Sequence, residues 1–364
     1  MREARIYLSA GEASGDLHAA HLVEALRRLR PGWRFAGLGG ERMAEAGVEL
    51  RANLVDHAVM GLRRVFGQIG ALLRITAIFL EEMRRAPPDL LLLIDNPGLH
   101  LNLARLARAR GIPVVYYICP QVWAWAPWRL RRVARRADLL LAILPFEEGI
   151  YSGVHPRVRY VGNPVFDHLA AVERRLEAEQ PSPGDGDGGG EPILALFPGS
   201  RRQEVEEALP AMLDAARGLV ARRPGLRVRV SCQRPSMRPL VEEHLGDAGV
   251  EASIVEGPPH ALQRAAYLSL VVSGTATLEQ AFFGVPMAVV YPVRPLARRL
   301  FGTLGVTPHI SLVNLFAGRE VVPEILFAPG EERRIEEAAI PLLEDEGSRQ
   351  GVIDDLRRLR EERF

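Results

Sequence analysis

The chain contains no lysine, so all 46 of its basic residues are arginine. That removes a Schiff-base lysine and the ordinary lysine-bearing P-loop from consideration. Its two cysteines, Cys119 and Cys232, stand far apart in unrelated contexts. They cannot build a disulfide framework or a four-ligand zinc site, and a reducing cytoplasm is the expected compartment. There is no charge surplus either: 46 basic residues face 45 acidic ones, for a net charge of +1. Nucleic acid, which calls for a clear basic excess, is not an expected partner. No run reaches the roughly 20 apolar residues of a spanning helix. No basic stretch followed by a long apolar one precedes the first strand-like segment, Arg5–Ser9, so no signal peptide is expected. Attachment to a membrane surface stays open. Finally, the first strand-to-helix turn lacks G-x-G-x-x-G, which speaks against a dehydrogenase.

What is present is an alternation of strands and helices along 364 residues, 48% of them hydrophobic and 25% charged. That length suits two domains, and the alternation predicts α/β units with mainly parallel sheets. In the first half the expected strands are Arg5–Ser9, Arg34–Gly37, Asp89–Ile94, Val114–Ile118, Leu139–Ile143 and Val158–Val161. Asp89–Ile94 is apolar after its first residue, as a strand covered on both faces should be. Gln180–Pro192 interrupts the pattern with glycine and proline and reads as a flexible linker. Asp185 and Asp187 within it form a D-x-D. A metal-binding D-x-D should end a buried strand, so here it belongs to the linker. The expected organisation is a first domain over 1–179, the linker over 180–192 and a second domain over 193–345. A charged helix over 346–364 has two expected destinations, back onto the first domain or across to a partner subunit in a homodimer. Two such units joined by a linker predict a cleft at the carboxyl ends of both sheets, where ligands of open α/β sheets bind.

Two turns in the second half carry chemistry. Ile193–Phe197 runs into Pro198-Gly199-Ser200-Arg201 and then a helix-like segment. Gly199 lets backbone approach a ligand, the first helical amides are partly positive, and Arg201 offers a fork of donors to phosphate oxygens. Taken alone, this reads slightly better as a plain turn with Ser200 as the helix cap. The second turn shifts the balance. Leu268–Val272 ends in Ser273-Gly274-Thr275 at a helix start, and Glu279 follows one helical turn later on the same face. That carboxylate is placed to accept from ribose hydroxyls. Gly284 suits the end of the same helix and needs no further role. Two phosphate-type turns with an acidic residue at this spacing point to a nucleoside diphosphate.

Several segments together resemble lipid-A-disaccharide synthase: SAGEASGDLHAAHLVEALR from Ser9, GLGGERM from Gly37, ICPQVWAW from Ile118 and VGNP from Val161. So do LFPGSRRQEV from Leu196, VVSGTATLEQAFFGVPMAVVY from Val271 and SLVNLFAGREVVPE from Ser311. They span nearly the whole chain in order. The resemblance implies a GT-B fold, two Rossmann-like domains facing each other across a cleft. It implies inverting transfer of 2,3-diacylglucosamine from UDP-2,3-diacylglucosamine to the 6-hydroxyl of 2,3-diacylglucosamine 1-phosphate. The product would be a β-1,6 disaccharide phosphate, with UDP released and no cofactor or obligatory metal. Another UDP-sugar enzyme of the same fold, a UDP-N-acetylglucosamine 2-epimerase or a transferase with a lipid-linked acceptor, is the competing reading. The AGEASGD and QVWAW segments oppose it. A nucleotide-sugar-binding module without catalysis is a further alternative, which would need neither Asp95 nor Glu12.

Inversion calls for a base and for stabilisation of the leaving diphosphate. Arg201 and the Ser273–Thr275 turn are the expected stabilisers. Asp95, in IDNPGLH at the end of a buried strand, is the first candidate base. On the residues alone, a helix cap or Asx turn before Pro97 is an equally good reading. The resemblance favours the functional one, because the family carries an acidic residue there. Glu12 is the second candidate, in an acceptor-binding or electrostatic role, because Ser14 and Asp16 are expected to cap the following helix. The resemblance further places Ser14, Gly15, Asn96, Gln121, Trp123, Asn163, Asn314 and Arg319 on the acceptor side or in the cleft. His18 and His21 sit at i,i+3, but no third ligand is evident and they read as ordinary helix residues. His100 and His309 are ambiguous.

Val59–Arg85 carries apolar residues at 62, 65, 66, 69, 72, 73 and 80, one broad helical face that Ile75, Ile78 and Phe79 widen. A core helix explains that face. The acyl chains implied by the resemblance nevertheless direct attention to the cytoplasmic face of the inner membrane, where the protein is expected to lie peripherally. Trp123, Trp125 and Trp128, followed by Arg129, Arg131, Arg132, Arg135 and Arg136, fit either a headgroup interface or a packed helix with a solvated basic side.

Overall fold

The computed structural model describes residues 3–54, 65–179, 191–293 and 309–363. The chain divides into two compact units, Met1–Gly162 and Asn163–Phe364. In the first, the strands are β1 (Arg5–Ala10), β2 (Arg34–Gly39), β3 (Glu49–Asn53), β4 (Leu90–Ile94), β5 (Val114–Tyr117), β6 (Leu139–Ala142) and β7 (Val158–Tyr160). They form one sheet in the order β3-β2-β1-β4-β5-β6-β7, and every pairing is parallel. Central β4 reads LLLLI because helices cover both of its faces. Edge strand β3 reads ELRAN and is only partly buried, so no apolar run announced it.

The order of strands reverses between β1 and β4, where Ala10 stands opposite Ile94. Both chains leave the sheet there side by side. Helix Ala13–Leu29 follows β1 and helix Pro97–Arg108 follows β4. Pro97 is pre-organised for a first helical turn, and Asn96 caps it. Asp16 does not cap its own helix. Its buried carboxylate instead accepts the amides of Gly40 at 2.7 Å, Arg42 at 3.1 Å and Met43 at 3.2 Å, closing the short helix Glu41–Glu45.

Helix Val65–Arg85 docks through Phe79, edge-on to Tyr7 with ring centres 5.6 Å apart, and through buried Met83. Leu72 and Leu73 are exposed, so only part of the broad apolar face is docked. Residues 59–64 lie outside the described residues.

The second unit has β8 (Ile193–Phe197), β9 (Arg227–Cys232), β10 (Ala252–Glu256), β11 (Leu268–Val272), β12 (Met287–Pro292) and β13 (Glu324–Phe327). This parallel sheet runs β10-β9-β8-β11-β12-β13, so its reversal lies between β8 and β11. Helix Arg202–Arg222 buries Val205, Ala208, Leu209, Met212, Ala216 and Leu219 at helical spacing. Each of the Val, Leu and Met side chains among them contributes ~1.5–3 kcal/mol on burial. The linker-like run 180–190 and its D-x-D lie outside the described residues.

The helix before that run, Pro164–Glu179, packs on the second unit. Phe166 stacks on Phe282 at 6.4 Å and meets Phe316 edge-on at 5.9 Å. Arg360, over the Phe282 ring at 4.1 Å, holds both carboxylate oxygens of Glu173 at 2.8 and 2.6 Å. Aromatic packing, not composition, therefore puts the division at Gly162. The C-terminal helix Glu346–Arg363 is held by the same Arg360 and by Asp355, which pairs with Arg319 at 2.8 Å.

Candidate active site

At the reversal in the first sheet, three non-glycine residues adopt left-handed backbone: Asp95 (φ 52°), Asn96 (φ 44°) and Ile118 (φ 60°). They are the only ones among the described residues. All three stand just beyond the carboxyl ends of neighbouring strands β4 and β5, and strain concentrated in this way marks functional sites. Asn96, not Asp95, caps helix Pro97–Arg108, its side chain accepting the Leu99 amide. The Asp95 carboxylate is thereby released from the capping role that the residues alone left open. Gly11, in the loop after β1, packs on the Asn96 side chain so closely that a Cβ would lie 2.1 Å from Nδ2. That contact brings the Glu12 loop against the Asp95 loop. Burial pushes the Asp95 carboxyl above the usual carboxylate range, with its bond to the Asn96 amide opposing and neighbouring Glu12 adding to the rise. Ser14 is exposed beside them, and Gly15 is buried in ordinary contact with Ala10 and Ile94.

Trp123 is buried rather than open. Its Nε1 donates at 2.9 Å to Glu147, and its ring lies edge-on to Phe146 at 4.9 Å. Glu147 is fully buried and also accepts the Leu144 amide at 3.2 Å. Burial raises its carboxyl to about 7 against the pull of those bonds, with Asp95 adding to the rise. Nothing in the sequence singled it out, because EE in a helix's first turn is ordinary. Gln121 is exposed at the start of helix Val122–Trp125.

A testable consequence follows for stability. A carboxyl raised from 4.5 to about 7 contributes stability below its unfolded value and loses it as pH climbs through 7. Wild-type stability relative to Glu147→Gln is therefore expected to fall by on the order of 2 kcal/mol between pH 5 and pH 8. Urea midpoints for both proteins at each pH measure it, and a constant difference would refute the assignment.

In the second unit a cavity of about 330 Å³ lies at the reversal between β8 and β11. Gly199, Ser200, Arg201, Ser273, Gly274, Thr275 and Glu279 all line it. The two turns are not equivalent. At the first, Glu204 already occupies the amides: its Oε2 accepts from Ser200 N at 2.9 Å and Arg201 N at 3.1 Å, and its Oε1 from Arg201 at 3.0 Å. Gly199 (φ +103°) is required there, since a Cβ would fall 2.4 Å from that carboxylate. Arg201, not Ser200, is the N-cap.

At the second turn, helix Thr275–Phe282 has Gly274 as its N-cap and no side-chain cap. The amides of Thr275 and Ala276 have no carbonyl one turn before them, and among the described residues no side chain accepts from them. One turn on, Glu279 is held by Gln263 through Oε2 at 2.8 Å, and its Oε1 has no hydrogen bond among the described residues. Burial raises its carboxyl, with Gln263 and His168 opposing.

Ser231 and Gln233 from the end of β9, and Glu204, also line the cavity. The Ser231 hydroxyl is buried and has no hydrogen-bond partner among the described residues. Nothing in the sequence singled out Ser231, because a serine near the end of an alternating strand, RVRVSC, is ordinary.

Asn314 lies elsewhere. Fully buried, it donates to Val322 O and Glu324, both at 2.8 Å, and accepts the Val321 and Val322 amides at 2.7 and 3.1 Å. Its side chain is thereby saturated. The same Glu324 accepts the Ile310 amide at 2.9 Å, and Ile310 O accepts from the Ser273 hydroxyl at 2.8 Å. The SLVN segment thus supports the cavity wall from behind. Asn163 caps the start of Pro164–Glu179 through Val165 N at 3.1 Å. Among the described residues no group of three His, Cys, Asp or Glu is placed to hold a metal ion.

A family model described as lipid-A-disaccharide synthetase matches residues 6–363. A lipid-A-disaccharide synthase of Myxococcus xanthus is 39% identical over 339 residues, 92% of this chain and 86% of that protein. Among solved structures, the UDP-GlcNAc 2-epimerase of Neisseria meningitidis, bound to UDP-GlcNAc, superposes with TM-score 0.61 at 14% identity. The match covers 97% of this chain and 95% of that one. The calicheamicin glycosyltransferase CalG4 gives 0.60 at 16%, covering 99% and 94%. At such identities these two likenesses speak for the fold alone, two Rossmann-like units of the GT-B class.

Proposed function

The chain belongs to the lipid-A-disaccharide synthase family, and from that premise we propose how its own residues carry the transfer. The enzyme is a glycosyltransferase. It moves 2,3-diacylglucosamine from UDP to the 6-hydroxyl of 2,3-diacylglucosamine 1-phosphate, with inversion, forming the β-1,6 disaccharide phosphate and UDP. In our reading Asp95 takes the proton of the attacking 6-hydroxyl as the new C–O bond forms, while Glu12 beside it orients the acceptor. On the opposite side of the anomeric carbon the bond to the diphosphate breaks. The departing negative charge falls on the open amides of Thr275 and Ala276 at a positive helix end, with Glu279 on the ribose. Arg201 joins once the diphosphate displaces Glu204 from the first turn.

The observation that carries this reading is the uncapped helix start at Gly274, lining a cavity at the sheet's reversal with Glu279 one turn on. Purified protein incubated with the two substrates should release one UDP per disaccharide phosphate formed. UDP release without disaccharide, or neither product, would overturn it.

We further propose a peripheral position on the cytoplasmic face of the inner membrane. Among the described residues no helix is long and apolar enough to cross a membrane. Trp128 is 77% exposed, beside exposed Arg131, Arg132 and Arg135. The arginines are dense enough that Arg132, Arg105 and Arg135 add to burial in lowering the Arg136 pKa. An exposed aromatic side chain followed within a few positions by exposed arginines suits an anionic headgroup layer, where each arginine is worth ~1 kcal/mol. Trp128→Ala combined with Arg132→Glu should cut co-sedimentation with anionic vesicles roughly tenfold or more. Undiminished binding would place the contact elsewhere.

A further inference from the structure

The backbone of Asp95 is held by side chains that no part of the reaction scheme uses. Its carbonyl oxygen accepts two hydrogen bonds, one from His100 Nδ1 at 2.7 Å and one from the Tyr116 hydroxyl at 2.6 Å. His100 Nε2 in turn meets the Ser9 hydroxyl at 2.9 Å. His100, Tyr116 and Ser9 are all fully buried, and they come from three separate elements: helix Pro97–Arg108, β5 and β1. A carbonyl can only accept, so Nδ1 carries the proton and Nε2 accepts from Ser9. Burial lowers the His100 pKa to about 4, which keeps the ring neutral at ordinary pH and preserves that single tautomer.

We infer that His100 and Tyr116 are positioning residues that clamp the Asp95 carbonyl, hold its left-handed backbone, and thereby aim its carboxylate at the acceptor hydroxyl. The inference rests on the proposed role of Asp95 as base. The physical reason is conformational. An L-residue at φ 52° relaxes toward the extended or right-handed region unless its surroundings over-determine it. Two hydrogen bonds to one carbonyl, from buried and mutually packed rings (His100 and Tyr116 centroids 6.3 Å apart), supply that determination. Release of the clamp would swing the carboxylate off the line of proton transfer without touching the residues proposed to hold either substrate. The expected signature is thus a fall in kcat with KM unchanged. A displacement of about 1 Å at a reacting group lowers rates by roughly 100-fold.

The test uses the full-length enzyme and the tautomer as its discriminator. The amide of asparagine reproduces the Nδ1 donor and that of glutamine the Nε2 position. His100→Asn should keep kcat within about threefold of wild type, whereas His100→Gln should lose roughly 10- to 100-fold at unchanged KM. Tyr116→Phe removes one hydroxyl from the clamp and should lower kcat several-fold, which carries the test if His100→Gln does not fold. Melting temperatures report folding for each variant. Equal kcat in His100→Asn and His100→Gln, or wild-type kcat in Tyr116→Phe, overturns the clamp. Asp95→Asn, assayed in parallel, separates the two claims. If it remains active, the base assignment itself fails. If it is inactive while His100→Gln matches wild type, only the clamp fails.

Discussion

Replacing Asp95 with asparagine is expected to lower kcat by about 10²–10⁴-fold while the protein stays as stable as wild type or becomes more so. The two halves of that expectation have one cause. Burial and nearby Glu12 push the Asp95 carboxyl upward, so at neutral pH the native state holds an ionised group in surroundings that disfavour ionisation. A carboxyl raised in the folded state contributes stability below its unfolded value and loses it as pH rises through its folded value. Asparagine cannot ionise and loses nothing over that range.

Catalysis runs the other way. A base must be ionised to accept a proton, so wild-type kcat should decline as pH falls through the raised value, above the usual carboxylate range. Rate profiles and melting temperatures across pH 5–9 read both effects. Because burial also raises the Glu147 carboxyl, to about 7, Glu147→Gln serves as the control and should keep the acid limb. An Asp95→Asn enzyme within threefold of wild-type kcat would remove Asp95 from the mechanism.

The second large effect is expected at Gly274. A Cβ there meets nothing within 4 Å, and its φ of 161° is extended backbone that any residue adopts. Gly274→Ala should therefore fold and turn over close to wild type. Gly274→Asp is equally permitted sterically, but it sets a carboxylate at the uncapped amides of Thr275 and Ala276, where the diphosphate is proposed to lie. Like charges placed together at a binding site cost several kcal/mol, and each 1.4 kcal/mol is tenfold. A fall in kcat/KM for the UDP-sugar of roughly 10³-fold is expected, with UDP failing to protect the variant in thermal shift. The enzyme itself supplies a precedent, since Glu204 already sits on the equivalent amides of the first turn. If Gly274→Asp binds UDP as wild type does, the diphosphate lies elsewhere.

Much of the architecture was legible because strand burial writes itself into local sequence. β4 is apolar at every position and β11 at every position but Ser269, as parallel strands covered on both faces usually are. Edge strands β3 and β13 escaped because an edge need not be apolar throughout. The cavity turns were legible for a related reason. Glycine and hydroxyl residues directly after a buried strand announce a turn into a helix start, and the residues of both turns line one cavity. The division between units was harder to read. Glycine and proline mark where a chain is unlikely to be regular, but not which side a neighbouring helix packs on, and Phe166 decided that against Phe282 and Phe316.

By itself the sequence determined the two parallel α/β units, the turns at their reversals and the family to which they belong, all of which follow from residues adjacent in the chain. Only the tertiary structure decided which amides are open and how Asp95 is held. Glu204 closes one turn and leaves its counterpart free. Asn96 takes the cap, and His100, Tyr116 and Ser9 meet from three elements around a single carbonyl. Those are questions of which hydrogen-bonding groups satisfy one another, and buried polar groups find their partners wherever the fold brings them. Ser9 and His100 are 91 positions apart, a separation across which no local pattern can signal a bond.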